Sequence, residues 1–316
     1  MKTRIIVKSL AVVGIIPLLL AAVATATAQT VNFPDPTLEA VVREALPKPT
    51  GPISTDDMLT LTNLTANGRN IHDLTGLETA LNLRDLQVEW NPITNHTAIS
   101  ALTNLVILSV SANGTPNIGF VASLKKLQYL NLYDNGIRDI SPLAGLVDLQ
   151  TLFMPWNPVT NYATLSALTN LVELDIGHSG ATNLDFIAPL QKLQSFSLDE
   201  DGVPNISALA GRTNLLSLNL NWNGVTNPAV LATLTGLQEL HLTGNNLTNV
   251  PYLASLTNLT GLDLAYTELA DMSPLTNLTR LVWLNVGENS LTSLPDLSPL
   301  ASLLTFMMAG NHITDL

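Results

Sequence analysis

Leucines recur along this chain at a fixed interval of 22 residues, from Leu61 to Leu303. Each interval repeats the pattern L-x-x-L-x-L-x-x-N-x-I/L/V, which is clearest in the segment LQYLNLYDNGIRDI that begins at Leu127. Leu130 and Leu132 alternate there with polar or outward residues, which predicts a short strand with one buried face. Residues 61–316 therefore divide into twelve 22-residue units, the last of them incomplete.

Each unit supplies one layer of apolar side chains and has nothing of its own to cover that layer. In the unit at Leu127, the layer is completed by Ile137, Ile140, Leu143 and Leu146. Stacked units bury a continuous core, so the pattern predicts a solenoid with a parallel sheet along one side. The return segments contain Pro and Ser, as in DISPLAGL, and favour short 3-10 or single-turn helices.

Position nine of the unit is Asn in eight of the twelve units, as at Asn91 and Asn157. A side-chain amide at this point can satisfy backbone groups in the turn that leaves the strand. The other four units carry Arg69, Ser179, Asp201 and Thr267. We predict that the turns of these four units are less regular.

The sequence also repeats at a longer interval of three units. WNPITNHTAISALTNL at Trp90 returns 66 residues later as WNPVTNYATLSALTNL at Trp156, and more loosely at Trp222 as WNGVTNPAVLATLTGL. The units at Leu83, Leu149 and Leu215 resemble one another, and so do their successors. The array has the pattern of a duplicated three-unit block.

Residues 1–28 have the features of a secretory signal peptide. Basic residues come first, an apolar run follows, and an A-x-A site precedes Gln29. A membrane anchor is the alternative, but the apolar run is short and interrupted by Pro17. We expect an exported protein that is secreted or held at the cell surface, with no transmembrane segment after cleavage.

Residues 29–60 predict a helical N-terminal cap over the first unit. Asp35 is placed to cap a helix that begins at Pro36, and Pro47 ends it. The apolar face of this helix consists of Leu38, Val41, Val42, Ala45 and Leu46. At the other end the sequence stops fourteen residues into the twelfth unit without a polar cap, so we expect the natural protein to be longer.

The unbroken 22-residue spacing and the helical cap resemble bacterial leucine-rich repeat proteins of the internalin type. The resemblance implies an α/β solenoid, in the form of a right-handed superhelix with a parallel sheet on the concave side and short 3-10 or helical segments on the convex side. It also implies a protein that binds other macromolecules on the concave sheet and is not an enzyme. No cofactor or metal site is expected.

In this fold, positions three, five, seven and eight of each unit line or border the concave sheet. Ten of these positions are acidic, and none of them holds Lys or Arg. Aromatic residues share the same positions, a combination typical of binding surfaces. The candidate binding residues are Trp90, Tyr129, Tyr133, Asp134, Phe153, Trp156, Asp175, Asp199, Glu200, Trp222, His241, Asp263, Tyr266 and Trp283.

Charge narrows the class of partner. The chain has a net charge of −12, and removal of the three basic residues in 1–28 would leave ten basic and 25 acidic residues. An acidic surface of this kind repels phosphate backbones, so nucleic acid is excluded as a partner. A protein ligand with a basic surface is favoured, bound by an adhesin, a receptor-like protein or an inhibitor. A glycan or cell-wall ligand is the alternative, because aromatic, Asp and Asn side chains also serve that purpose.

Catalysis and metal binding have weaker support in the sequence. His241 and Asp263 share position five of adjacent units and could touch, but no nucleophile accompanies them. The segment DEDG at 199–202 suggests calcium, yet Ser197 and Ala208 stand where a calcium loop needs acidic residues. The Asp201-Gly202 pair is better explained as the counterpart of the Asn-Gly turns in other units.

Overall fold

The computed structural model describes residues 28–314. Residues 1–27 of the predicted signal peptide lie outside the described part, as do residues 315 and 316. Among residues 28–314 no helix combines the length and the hydrophobicity of a membrane span.

Over residues 28–314 the chain forms twelve strands, one in each unit, and they pair in chain order into a single parallel sheet. Every residue of a strand lies beside the residue 22 positions further on, as Leu130 lies beside Leu152. The strands are β1 Asn63–Thr65, β2 Asp85–Gln87, β3 Ile107–Ser109, β4 Tyr129–Asn131, β5 Thr151–Phe153, β6 Glu173–Asp175, β7 Ser195–Ser197, β8 Ser217–Asn219, β9 Glu239–His241, β10 Gly261–Asp263, β11 Trp283–Asn285 and β12 Thr305–Met307. The predicted solenoid and its parallel sheet are confirmed.

The return segments form 3-10 helices, ten of them in the described chain. They span Leu77–Thr79, Thr97–Ala101, Gly119–Ser123, Ser141–Gly145, Ala163–Ala167, Asp185–Ile187, Ser207–Leu209, Pro228–Thr233, Pro251–Ser255 and Ser273–Asn277. The leucine layers lie between these helices and the sheet, and Leu127, Leu130 and Leu143 are fully buried there. The short helices follow from the Pro or Ser that most return segments contain, since neither residue supports a longer α-helix.

Helix α1, Pro36–Ala45, lies against the first unit and has Asp35 as its N-cap. Asp35 Oδ1 accepts from the backbone N–H of Thr37 at 2.8 Å, and its Oδ2 accepts from the N–H of His72 at 2.6 Å. Burial acts to raise the pKa of Asp35, but the backbone N–H groups outweigh it and lower the pKa. One carboxylate therefore caps the helix and also ties it to the solenoid. A second short helix, α2, spans Thr55–Met58.

The predicted apolar face of α1 is correct for Leu38, Val41 and Val42, which are buried against the first unit. It is wrong for Ala45, which is exposed, while Leu46 is only half-buried. Ala45 is the last residue of the helix, whereas Leu46 is its C-cap and still packs against the core.

The side chains at position nine form a continuous array that we call the asparagine ladder. Asn135 Nδ2 donates to the carbonyls of Val110 at 2.9 Å and Leu132 at 3.1 Å. Its Oδ1 accepts from the N–H groups of Asn113 at 3.1 Å and Thr115 at 3.0 Å. Asn135 therefore satisfies backbone groups in its own unit and in the unit before it, and most of the other ladder asparagines do the same.

The four turns without Asn keep the backbone of the others and differ in hydrogen bonding. The residue before position nine has a φ of 52° before Ser179 and 55° before Asp201, as in regular units. Ser179 Oγ still reaches the carbonyl of Met154 at 3.2 Å, whereas Asp201 only accepts hydrogen bonds. The prediction of less regular turns is therefore wrong for the backbone at this point, because stacked neighbours impose the conformation.

Candidate functional site

The outer face of the sheet, opposite the leucine core, carries positions three and five, and positions seven and eight extend it into the following turn. We call this surface the concave face. At position eight the backbone is left-handed in every described unit, with φ between 48° at Asp134 and 72° at Gly310. The N–H at this position donates to the next unit, as Trp156 N does to Gly177 O at 2.9 Å. Glycine adopts this conformation without strain, whereas bulky residues disfavour it.

Four units nevertheless place an aromatic side chain at position eight. The exposed fractions are 61% for Trp90, 51% for Trp156, 49% for Trp222 and 54% for Tyr266. Burial of half of each ring is worth about 2 kcal/mol, which is enough to offset the cost of the left-handed backbone, but the other half of the ring is left in water. The solenoid imposes this backbone in all twelve units, so these four are distinguished by their exposed rings and not by the backbone.

Trp156 belongs to a compact group of side chains near the middle of the array, which we call the central cluster. The Trp156 ring stacks on His178 with centroids 4.0 Å apart and planes inclined by 15°. His178 Nε2 lies 3.1 Å from Asp199 Oδ2, and its Nδ1 lies 3.4 Å from Glu200 Oε2. Gly177 makes room for this arrangement, since a Cβ there would overlap the Asp199 carboxylate. The central cluster is Trp156, His178, Asp199 and Glu200.

Further along the chain, Trp222 contacts Tyr266 two units away, with ring centroids 5.9 Å apart. The unit between them has Gly244 at position eight, and a Cβ on Gly244 would overlap the Trp222 ring. Two strand spacings amount to about 10 Å, so the rings meet only by leaning over a position that has no side chain. The glycine is therefore part of the aromatic surface.

His241 and Asp263 are neighbours in register, as their shared position five predicts. No hydrogen bond or ion pair joins them in the part of the chain that the structure describes. The His241 ring instead lies 5.5 Å from the ring of Trp283, two units away. Gly261 allows this contact, because a Cβ there would overlap Trp283 and Glu239.

In the earlier units Tyr129 meets Phe153 edge to face, with ring centroids 5.8 Å apart and planes inclined by 65°. Both rings are half-buried on the sheet surface. Burial raises the pKa of the Tyr129 hydroxyl, and the carboxylates of Glu89 and Glu173 act in the same direction. The hydroxyl is therefore neutral at physiological pH and able to donate a hydrogen bond.

The acidic residues give this face a negative field. Burial raises the pKa of Asp175, and the nearby carboxylates of Asp199 and Glu173 act in the same direction. Positions three, five, seven and eight hold no Lys or Arg in any of the twelve units. The charge is therefore not balanced within the surface, which favours a cationic ligand.

The structure groups the candidate residues into four contacting sets and a remainder. The sets are Tyr129 with Phe153, Trp156 with Asp199 and Glu200 through His178, Trp222 with Tyr266, and His241 with Trp283. Trp90, Tyr133, Asp134, Asp175 and Asp263 lie on the same face beside them. Sequence reasoning missed His178, although its position eight was a sufficient signal.

Comparison with known proteins places the chain among leucine-rich repeat proteins. A family model described as "Leucine Rich repeats (2 copies)" matches residues 235–277, and one described as "Leucine Rich repeat" matches residues 212–232. A search of curated proteins found no match.

Solved structures of internalins from Listeria monocytogenes are similar over most of the chain. For internalin InlF the identity is 29% and the TM-score 0.83, over 88% of this chain and 83% of that one. For internalin C2 the identity is 33% and the TM-score 0.65, over 67% of this chain and 94% of that one. The functional domain of InlJ shares the fold at 22% identity and a TM-score of 0.67, over 92% of this chain and 74% of that one.

The fold and the repeat define a bacterial leucine-rich repeat protein, a class of protein-interaction modules that are generally not enzymes. Within that class, the match to internalin C2 shows the family. The chain belongs to the internalin-like proteins.

Proposed function

We propose that this chain is an exported protein-binding module that holds a basic patch of a partner protein on its concave face. The roles that fit such a module are adhesin, receptor-like binder and inhibitor. The contact would centre on the units between Leu127 and Leu215, which contain the central cluster and the contact between Tyr129 and Phe153.

One observation carries the proposal, namely the choice of residue at position eight. The solenoid fixes a left-handed backbone there, and Gly68, Gly244 and Gly310 show that glycine fits it. Trp156 and Trp222 occupy the same conformation with half of each ring exposed to solvent. Large rings that leave half of their apolar surface in water, grouped on one face, are most simply explained by contact with a partner.

The acidic side chains support a basic partner. Asp199 and Glu200 lie on either side of His178 within the central cluster, next to the exposed Trp156 ring. A Lys or Arg side chain placed there would meet carboxylates and an aromatic ring together. The acids would act mainly on association rate and on partner choice, and their effect would weaken as salt increases.

Export rests on the predicted signal peptide in residues 1–28. The test is expression with that segment intact in a bacterial host, followed by N-terminal sequencing of protein recovered outside the cytoplasm. Sequence beginning at Gln29 is the expected result, whereas an intact Met1 on membrane-bound protein would favour the anchor.

The binding proposal is tested with the double variant Trp156→Gly/Trp222→Gly. The chain is first used to capture surface proteins, and the affinity of a captured protein is then measured for each variant. Loss of two central anchors should weaken binding by about 30-fold or more. The melting temperature should change little, because relief of the left-handed backbone offsets the loss of the half-buried rings.

Two control variants test where on the protein the partner binds. Trp90→Gly makes the same change at the same backbone position near one end of the array, and it should weaken binding less. Val147→Ala truncates an exposed apolar residue at a unit end, away from the concave face, and should leave affinity unchanged. Unchanged affinity in the double variant, or loss in Val147→Ala alone, would place the contact elsewhere.

A further inference from the structure

Two grooves of nearly equal size lie on the edge of the solenoid, where the chain leaves the sheet and enters the 3-10 helices. One, of about 550 Å³, lies between the units at Leu83 and Leu105, and the other, of about 530 Å³, lies between those at Leu149 and Leu171. Ten of the eleven residues in each wall correspond at a separation of 66, so the grooves are two copies of one feature of the duplicated block. Their walls include no residue of the concave face.

The grooves arise from an unusual residue at position fourteen of the unit before each one. That position normally holds a buried aliphatic residue, such as Ile118, Ile140 or Leu184. In the units at Leu83 and Leu149 it holds His96 and Tyr162, which are only partly buried. Each ring turns toward the next unit, where it forms one wall of the groove.

The turned rings pack against an aromatic residue of the next unit. His96 stacks on Phe120 with ring centroids 5.2 Å apart, and Tyr162 stacks on Phe186 at 5.3 Å. A small residue at position eleven of that next unit leaves the space they need. This residue is Thr115 in one groove, with Oγ1 2.7 Å from His96 Nε2. In the other groove it is Ala181.

The third copy of the block differs at both of these positions. It has Pro228 where the others have His96 and Tyr162, and Leu247 where they have Thr115 and Ala181. Leu247 is 2% exposed, so its side chain fills the space that the smaller residues leave open. The third copy therefore serves as an internal comparison for the two residues that form the grooves.

The groove walls offer neutral polar groups beside aromatic carbon. Asn117 Oδ1 accepts from the N–H of Gly119 and Asn183 Oδ1 from that of Asp185, while the amide nitrogens of both donate to no protein group in residues 28–314. Burial lowers the pKa of His96 to about 4, so its ring is uncharged at neutral pH. Asp185 is the one charged side chain among the residues lining these two grooves.

We propose that the two grooves bind successive segments of a neutral polysaccharide, at a site separate from the concave face. Without a cationic side chain in the walls, and with a net charge of −12 on the chain, anionic ligands are disfavoured. Free amide donors beside ring carbon suit a hydroxylated ligand that also has apolar C–H surfaces. The grooves recur three units apart, about 14 Å at the strand spacing, and a linear polymer presents the same chemistry repeatedly.

The test converts each groove to the sequence of the third copy. His96→Pro/Thr115→Leu fills one groove and Tyr162→Pro/Ala181→Leu fills the other. Binding of linear hexasaccharides of glucose, mannose, xylose and N-acetylglucosamine is followed by NMR titration and calorimetry. At least one hexasaccharide should bind the unaltered chain, tenfold more weakly after one conversion and undetectably after both.

A gentler pair of variants keeps the test valid if the conversions fail to fold. Asn117→Asp and Asn183→Asp remove the free amide donors and retain the oxygen that caps the turn. Asp139 and Asp271 hold the same position in other units and accept from Ser141 and Ser273 in this way. Each change should weaken binding at its own groove alone.

Three results would overturn the proposal. They are the absence of binding by all four hexasaccharides, binding that survives both groove changes, and binding that Trp156→Gly/Trp222→Gly abolishes. The grooves share no residue with the concave face, so a failure here leaves the protein-binding proposal standing, and the reverse also holds.

Discussion

Position nine satisfies backbone groups of the turn in two neighbouring stretches of the solenoid, but not with the same atoms. Asparagine does so from Asn91 to Asn157, and Ser179 and Asp201 replace it in the next two units. In the first stretch each amide donates to carbonyls and accepts from N–H groups, as Asn135 does. At Asp201 the acceptor half is kept, because Oδ1 accepts from Ser179 N at 2.8 Å and Ala181 N at 3.2 Å. The donor half is missing. The backbone of the turn therefore keeps its conformation even where the side chain at position nine makes only half of the usual hydrogen bonds.

The missing donor has an electrostatic consequence. Asp201 Oδ2 is buried without a hydrogen-bond partner within residues 28–314, at the point where an asparagine would present its NH₂. Burial raises the pKa of Asp201 to about 6, and Asp199 acts in the same direction, against the backbone N–H groups that lower it. A protonated carboxyl regains a donor, so the ladder at this point is best satisfied in acid.

The largest effect is expected in the regular stretch. Asn135→Ala removes hydrogen bonds to Val110, Leu132, Asn113 and Thr115 and leaves buried backbone groups unsatisfied. The free energy of unfolding should fall by about 3 kcal/mol or more, measured by urea denaturation. Asn246→Ala, at an exposed position next to the ladder, is the control and should change little. Equal losses in both variants would mean that a ladder asparagine contributes no more to the free energy of unfolding than an exposed one.

Asp201→Asn should stabilise the protein by an amount on the order of 2 kcal/mol at pH 7. The folded pKa of about 6 lies above the usual value of 3.8. The wild type therefore loses stability as pH rises from about 4 to above 6, and the variant does not. Urea denaturation at pH 4 and at pH 7 should show the gain at pH 7 only. A gain that is the same at both pH values would assign it to something other than ionisation.

Ser179→Asn should stabilise the ladder by about 1 kcal/mol. Ser179 Oγ already reaches Met154 O at 3.2 Å but only weakly accepts from Asn157 N, at 3.3 Å. An amide restores both functions. Thermal and urea denaturation of this variant, of Asp201→Asn and of the double variant should also reveal coupling, since Ser179 N donates to Asp201. A destabilised single variant would show that the local packing has no room for the larger side chain.

Arg69→Asn should have the smallest effect, within about 0.5 kcal/mol. Arg69 is exposed and lies in the first unit, so within residues 28–314 no earlier strand offers a carbonyl to a new amide. Its side chain makes one exposed ion pair with Glu44 at 3.3 Å. A stabilisation as large as that of Ser179→Asn would show that the amide acts mainly within its own turn.

Much of the fold could be predicted because each unit repeats the same local signals. The unit length, the parallel sheet, the cap at Asp35 and the asparagine ladder all follow from spacing and residue type. A second array was present in the sequence and was not recognised. The asparagine of the recurring T-N-L phrase donates to a carbonyl 23 residues earlier, as Asn104 does to Leu81 and Asn170 to Val147.

The candidate site was predictable as a surface and not as a set of contacts. Position eight marked Trp156 and Trp222 as outward residues, but not their left-handed backbone. The glycines at positions 68, 244 and 310 were the available clue to that conformation. The meeting of Trp222 with Tyr266 depends on Gly244, and therefore on three units at once.

By itself the sequence determined a solenoid of 22-residue units. Every unit repeats the same pattern of inward and outward side chains, and the core forms only when the units stack. Tertiary structure decided which exposed side chains touch, how Asp201 is buried, and where His96 and Tyr162 open a groove. These features depend on neighbours 22 or 44 residues away, whose side chains compete for the same space. Periodicity fixes where a residue points, and packing between units fixes what it meets.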